Sequence, residues 1–135
     1  ASDVYKRQIF EGVGYGIRHN LEVMEEEGVK PRRILATGGG TKNDLWMQIV
    51  SDITRVNLSI PKEQIGASYG DAFMAGVGIG LFNNLTEIDH WVQIGKIVQP
   101  DLEASRKYDF NYRLSRSLYE NTKPLMHELS DSLSE

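Results

Sequence analysis

The stretch Thr37-Gly38-Gly39-Gly40-Thr41-Lys42-Asn43 lies between the apolar run Ile34-Leu35-Ala36 and a segment with the periodicity of an amphipathic helix. Three consecutive glycines remove every Cβ from a strand-to-helix junction, where free backbone N–H groups and the positive end of a helix dipole converge. Such a junction is suited to an anion. It is not a Walker A loop, because GxxxxGK[ST] needs lysine directly after its second glycine, and it is not GxGxxG. A glycine-rich turn also serves to let a helix pack closely on a sheet, so the turn alone leaves both roles open.

The flanking pattern is that of an α/β layer architecture. Ile9, Val13, Ile17, Leu21 and Met24 recur at helical spacing, and Gly28 follows Glu25-Glu26-Glu27 as the residue after a helix C-terminus. Ile34–Thr37 reads as a short buried strand. Leu45, Trp46, Ile49, Val50 and Ile53 form one apolar face of a second helix from Asn43, and Val56–Ile60 alternates as a half-buried strand stopped by Pro61. A third helix is expected from Ser68, capped together with Asp71, through Phe73, Met74, Val77 and Leu81 to Asn83-Asn84. Thr86 and Asp89 repeat that capping pattern before a short helix containing Ile88 and Trp91. Lys96–Val98 is a last strand. Tyr108, Tyr112, Tyr119, Met126, Leu129 and Leu133 then define a long C-terminal helix that Pro124 should kink or break. Two glycine clusters, Gly12/Gly14/Gly16 and Gly76/Gly78/Gly80, fall inside helices. Each such glycine costs roughly 1 kcal/mol, so close approach of another backbone or a ligand must compensate, helix packing being the commoner reason.

A chain of 135 residues fits one domain with its own core. The net charge of −4 opposes a general nucleic-acid or anionic-membrane surface. No apolar run reaches membrane-spanning length and no signal peptide is visible, so a cytoplasmic location is expected. The absence of cysteine excludes disulfides, Cys-zinc sites and thiol catalysis. His19, His90 and His127 lack metal-ligand spacing, and no metal ligand is assigned. Asp52 reads as a solvated or capping carboxylate, and Glu25–Glu27 with Lys30, Arg32 and Arg33 as a solvated helix end and turn. Trp46, Trp91 and the tyrosine stripe read as core. Asp3-Val4-Tyr5-Lys6-Arg7-Gln8 matches the translation of a common transposon-end sequencing adaptor, so residues 1–8 are set aside as a non-native leader and 9–135 taken as the domain.

From Glu11 to Tyr119 the chain resembles the C-terminal domain of the FGGY carbohydrate kinases, most closely the xylulokinase-like members. Three segments in order carry the resemblance: Glu11-Gly12-Val13-Gly14-Tyr15-Gly16-Ile17-Arg18-His19-Asn20; Thr37-Gly38-Gly39-Gly40-Thr41-Lys42-Asn43-Asp44-Leu45-Trp46 continuing to Asp52; and Gly66-Ala67-Ser68-Tyr69-Gly70-Asp71-Ala72-Phe73-Met74-Ala75-Gly76. The resemblance implies an actin-like ATPase, ribonuclease H-like fold, the C-terminal half of a two-domain sugar kinase with a cleft between the domains. It implies that this half holds ATP, accompanied in the whole enzyme by Mg2+, while the catalytic aspartate and most sugar contacts belong to an N-terminal domain outside this chain. No catalytic residue is therefore assigned here. By the family pattern Gly38, Gly39 and Gly40 line the nucleotide, Gly39 nearest the phosphate or ribose, Thr41 adds a hydroxyl contact and Asn43 reaches adenine. Asn43 carries both a donor and an acceptor, which suits adenine, and it equally suits an N-cap. Where many family members have Gly-Ala-Ala, this chain has Gly70-Asp71-Ala72, and Asp71 reads as a capping or dipole-stabilising residue, with a water-mediated magnesium role as the minor alternative. The implied reaction is transfer of the ATP γ-phosphoryl to a sugar hydroxyl, of xylulose or a related pentulose, with the isolated chain inactive. Sugar, ATP and the N-terminal domain are the expected partners, and a homodimer stays open. The alternative is a non-catalytic actin-like nucleotide switch or interaction domain.

Overall fold

The computed structural model describes residues 2–31, 33–63 and 66–132. Arg32, expected in a solvated turn, and Leu133, expected on the last helix, lie outside the described residues. The first helix, α1, runs Ser2–Glu26 and so includes most of the segment set aside as a leader. It closes as its sequence indicates: Gly28 takes φ 79°, the Val29 N–H donates to Met24 O at 2.8 Å and the Gly28 N–H to Glu25 O at 3.0 Å. Those paired bonds are how a left-handed residue satisfies the last carbonyls of a helix.

Strand β1 (Ile34–Leu35) pairs in parallel with β2 (Leu58–Pro61), and β2 pairs antiparallel with β3 (Ile94–Val98), giving the order β1-β2-β3. Between β1 and β2 the chain makes a 3₁₀ turn, Gly39–Lys42, and helix α2, Asp44–Thr54. The remaining helices are α3 (Ala67–Gly78), the short α4 (Ile88–Trp91) and α5 (Leu102–Ser132). β2 is central, and its Leu58 and Ile60 are buried.

α2 is the middle layer of the molecule. Met47 and Val50 face the sheet and pack with Leu58, Ile60 and Val98. Ile49 and Ile53 face the other way, against Tyr108 of α5 and Phe10 and Tyr15 of α1. A helix between two layers needs two apolar faces, not the single face expected, and Leu45, placed on that face, is 49% exposed. Gly14 explains how α1 comes so close: a Cβ there would lie 2.7 Å from Ile53 Cδ1. Gly12 and Gly16 have no such neighbour within 4 Å.

Several expected boundaries need correction. α3 starts after Gly66, whose φ is 82°, and has no side-chain cap, so Ser68 and Asp71 do not form a capping box. It stops at Gly78 and not at Asn83, because Gly80 adopts φ 76° and the Leu81 N–H donates to Gly76 O at 2.8 Å. Of its apolar residues Phe73 is buried, whereas Met74 and Leu81 are exposed. Phe73 joins Phe82, Tyr69 and Trp91 in an aromatic cluster. The short helix is preceded by a 3₁₀ turn capped by Asn84, whose Oδ1 accepts from the Thr86 N–H, so Thr86 is capped and does not itself cap. α5 begins six positions before Tyr108 and continues through Pro124 without a break.

Asp52 is buried, which overturns its solvated reading. Its Oδ1 accepts from Gln48 Nε2 at 2.7 Å and from the Asp101 N–H at 2.8 Å. Asp101 in turn accepts the N–H groups of Glu103 and Ala104, so a buried carboxylate on α2 anchors the cap of α5.

Candidate functional site

β1 delivers the chain to the glycine turn, and α2 carries it away. Within the turn the three glycines have separate reasons to lack a side chain. Gly38 sits at φ 93°, ψ −179°, a region essentially restricted to glycine. A Cβ on Gly40 would lie 2.8 Å from Trp46 Cζ3. Gly39 has no heavy atom within 4 Å of its Cβ position and no positive φ, so neither packing nor conformation accounts for it.

The hydrogen bonds of the turn point inward from one side. The Thr41 N–H donates to Gly38 O at 3.1 Å and the Asn43 N–H to Gly40 O at 3.1 Å. The Thr41 hydroxyl also donates to Gly38 O, at 2.7 Å, and Thr41 is buried. Thr41 thus braces the turn from within. The N–H groups of Gly39 and Gly40 donate to no protein acceptor among the described residues. Adjacent backbone N–H groups without a protein acceptor are the kind of donor that pairs with an anion.

The start of α2 is arranged differently from the expected bare dipole end. Asn43 is the N-cap, its Oδ1 accepting from the Trp46 N–H at 3.0 Å, so the cap role weighed for it is real and leaves its amide Nδ2 free of protein partners among the described residues. Asp44 adds a negative charge to the first turn and pairs with Lys96 at 2.7 Å. The anion-friendly donors are therefore those of Gly39 and Gly40, not the α2 terminus. Lys42, exposed on the same turn, has no carboxylate partner among the described residues.

The second and third sequence segments meet in space. Thr37, just before the turn, and Gly66 and Tyr69 at the start of α3 line one small cavity of about 60 Å³ with Trp91. The first segment reaches the turn through Phe10 of the same helix, whose ring stacks on Trp46 with centroids 5.1 Å apart. The Asp71 side chain, exposed in the second turn of α3, makes no hydrogen bond or ion pair among the described residues. Trp46 was read from the sequence only as core, although the Gly-to-Trp spacing of six residues across a helix start is the signal that brings its ring under Gly40. Among the described residues no group of three or more His, Asp or Glu side chains could hold a metal ion.

Comparisons with known proteins show the family of the chain. Residues 4–79 match the FGGY family of carbohydrate kinases, C-terminal domain. The xylulose kinase of Staphylococcus epidermidis is 27% identical over 126 residues, 93% of this chain and 25% of that protein. The glycerol kinase of Saccharolobus islandicus is 32% identical over 102 residues, 75% of this chain and 20% of that protein. Among solved structures, the xylulose kinase from Rhodospirillum rubrum superposes with a TM-score of 0.71 at 29% identity, over 88% of this chain and 24% of that one. The chain thus spans about a quarter of the length of the relatives it matches. Its fold is that of part of the C-terminal domain of these sugar kinases, the actin-like class. The chain belongs to the FGGY family of carbohydrate kinases, within the family's C-terminal domain.

Proposed function

We propose that Gly38–Asn43 holds ATP in a sugar kinase, and that the full-length protein transfers the ATP γ-phosphoryl to a sugar hydroxyl, of xylulose or a related pentulose. The observation that carries this is the pair of N–H groups on Gly39 and Gly40 that have no protein acceptor among the described residues, set where Gly39 leaves open space. Phosphoryl transfer depends mainly on positioning and on spreading charge away from the phosphate oxygens, and backbone donors do this without a titrating side chain. Gly39 lies against the phosphate or ribose. Asn43 offers adenine its amide Nδ2, which has no partner among the described residues, while its oxygen stays in the cap, and Thr41 contributes from inside by holding the turn. The sugar contacts and the catalytic aspartate lie in the remaining part of the protein, so this chain alone is inactive. Closure of the two domains excludes water and aligns phosphate with sugar. The pentulose is supported by likeness to two xylulose kinases.

Titrating the chain with MgATP while following backbone amide resonances tests the site. Shifts centred on Gly38–Asn43 are expected, and their absence at millimolar ligand favours a purely structural turn. ATP turnover by the full-length protein that depends on added pentulose separates the kinase from a nucleotide switch. Robust sugar phosphorylation by the 135-residue chain would overturn its assigned inactivity.

A further inference from the structure

We infer that Trp46 is a positioning residue for the nucleotide turn, its ring holding Gly40, and its backbone holding Asn43, in the geometry that the nucleotide meets. This role rests on the nucleotide being held at Gly38–Asn43. The atoms nearest to a Cβ built on Gly40 are Trp46 Cζ3, Cε3 and Cη2, at 2.8, 3.2 and 3.4 Å, all on the six-membered ring of the indole. That ring lies under the turn as a floor. It is itself fixed by the near-parallel stack on Phe10, with planes 15° apart, and by packing against the Met47–Val50 side of the core. The backbone N–H of the same residue donates to Asn43 Oδ1 at 3.0 Å. One residue therefore sets both the height of Gly40 and the orientation of the Asn43 amide.

The indole Nε1–H is buried without an acceptor among the described residues. An unpaired buried donor is costly, and phenylalanine here would remove that cost. What phenylalanine lacks is the second ring, whose atoms occupy the space beneath Gly40. The ring that fills the space beneath Gly40, and not the polar group, is what makes tryptophan fit here.

The test uses the 135-residue chain, Trp46→Phe, Gly40→Ala and their combination. In ligand-free Trp46→Phe, the amide resonances of Gly39, Gly40 and Asn43 move while those of β2 and β3 stay in place. MgATP affinity falls roughly tenfold, the scale on which neighbouring residues couple, and Gly40→Ala alone weakens binding comparably because its methyl meets the ring. The double variant, whose methyl fills the place left by the ring, recovers affinity to within about threefold of the parent. Unmoved turn resonances, an undiminished affinity or a double variant no better than either single one overturns the positioning role. A parent chain whose turn amides ignore MgATP overturns the nucleotide site itself, and the role of Trp46 falls with it even where its substitution moves the turn. Should Trp46→Phe fail to fold, Gly40→Ala carries the test alone. Its methyl must displace the Trp46 indole Nε1–H resonance and weaken MgATP, and an unmoved resonance overturns the inference.

Discussion

Adding carbon at each position of the glycine turn separates residues that look identical in sequence. Gly38→Ala places a side chain at φ 93°, and we expect a loss of about 1–3 kcal/mol in urea unfolding, since glycine alone is at ease there. The Cβ of Gly39→Leu meets no heavy atom within 4 Å, so its unfolding free energy should stay within the ordinary surface range of about 0.5 kcal/mol. Its MgATP binding, followed by calorimetry, should fall sharply. Global unfolding of Gly39→Leu would instead mean that the open space is not open. Asn43→Ala removes the Oδ1 that caps α2 and should cost about 1 kcal/mol as well as weakening MgATP. The triplet was legible in the sequence as a place. Its division of labour was not, because Gly40 is defined by a ring six residues away and Gly39 by the absence of any neighbour.

Among the elements, α2 carries most of the architecture. Its two apolar faces are separated by one residue, Ile49 beside Val50, and a periodicity read from one strand of sequence merges them into a single stripe. Gly14 on α1 gives the sharpest test of the layer contact. Gly14→Ala sets a methyl 2.7 Å from Ile53 Cδ1, a side chain with no exposure to relieve the clash, and overpacking of this kind costs about 1–3 kcal/mol. Ile53→Val removes that carbon. Combined with Gly14→Ala, it should cost less than the two changes summed, measured as a double-mutant cycle by thermal or urea unfolding. A strictly additive pair would show that α1 and α2 do not meet at Gly14. Helix ends behaved unevenly: Gly28 was recognisable because charged residues precede it, whereas Gly80, with the same pair of closing hydrogen bonds, was hidden as the last of three spaced glycines. The solvated reading of Asp52 failed for a related reason, since its partner Asp101 lies at the start of another helix.

For the whole molecule, three helices are tied by charge. Asp109 of α5 pairs with Arg18 of α1 and with Arg55, the left-handed residue that ends α2. The hydrogen bond from Arg18, reinforced by both guanidinium charges, holds the Asp109 carboxyl below the usual carboxylate range. A carboxyl lowered by folding stabilises above its unfolded value, and that contribution is lost as pH falls through the folded one, below about 4. Asp109→Asn should therefore flatten the acid limb of a stability–pH profile. Tyr112 works at the other end: burial, and then the hydrogen bond from its hydroxyl to Glu22, pushes it up to about 12. A raised phenol stabilises below its unfolded value and loses that contribution as pH rises from about 10 towards 12. Tyr112→Phe should reduce the alkaline loss in the same profile, and an unchanged alkaline limb would show that this hydroxyl is not held. The sequence by itself determined the alternation of strands and helices, the glycine turn at the strand-to-helix junction and the family, because all of these are written in consecutive residues through backbone conformation and local spacing. Only the tertiary structure decided which glycine faces open space, which helix faces are buried, where Asp52 lies and what floors the turn. Those depend on contacts between separate elements, Gly14 with Ile53, Asp52 with Asp101 and Phe10 with Trp46, and no local pattern encodes the distance at which two elements come to rest.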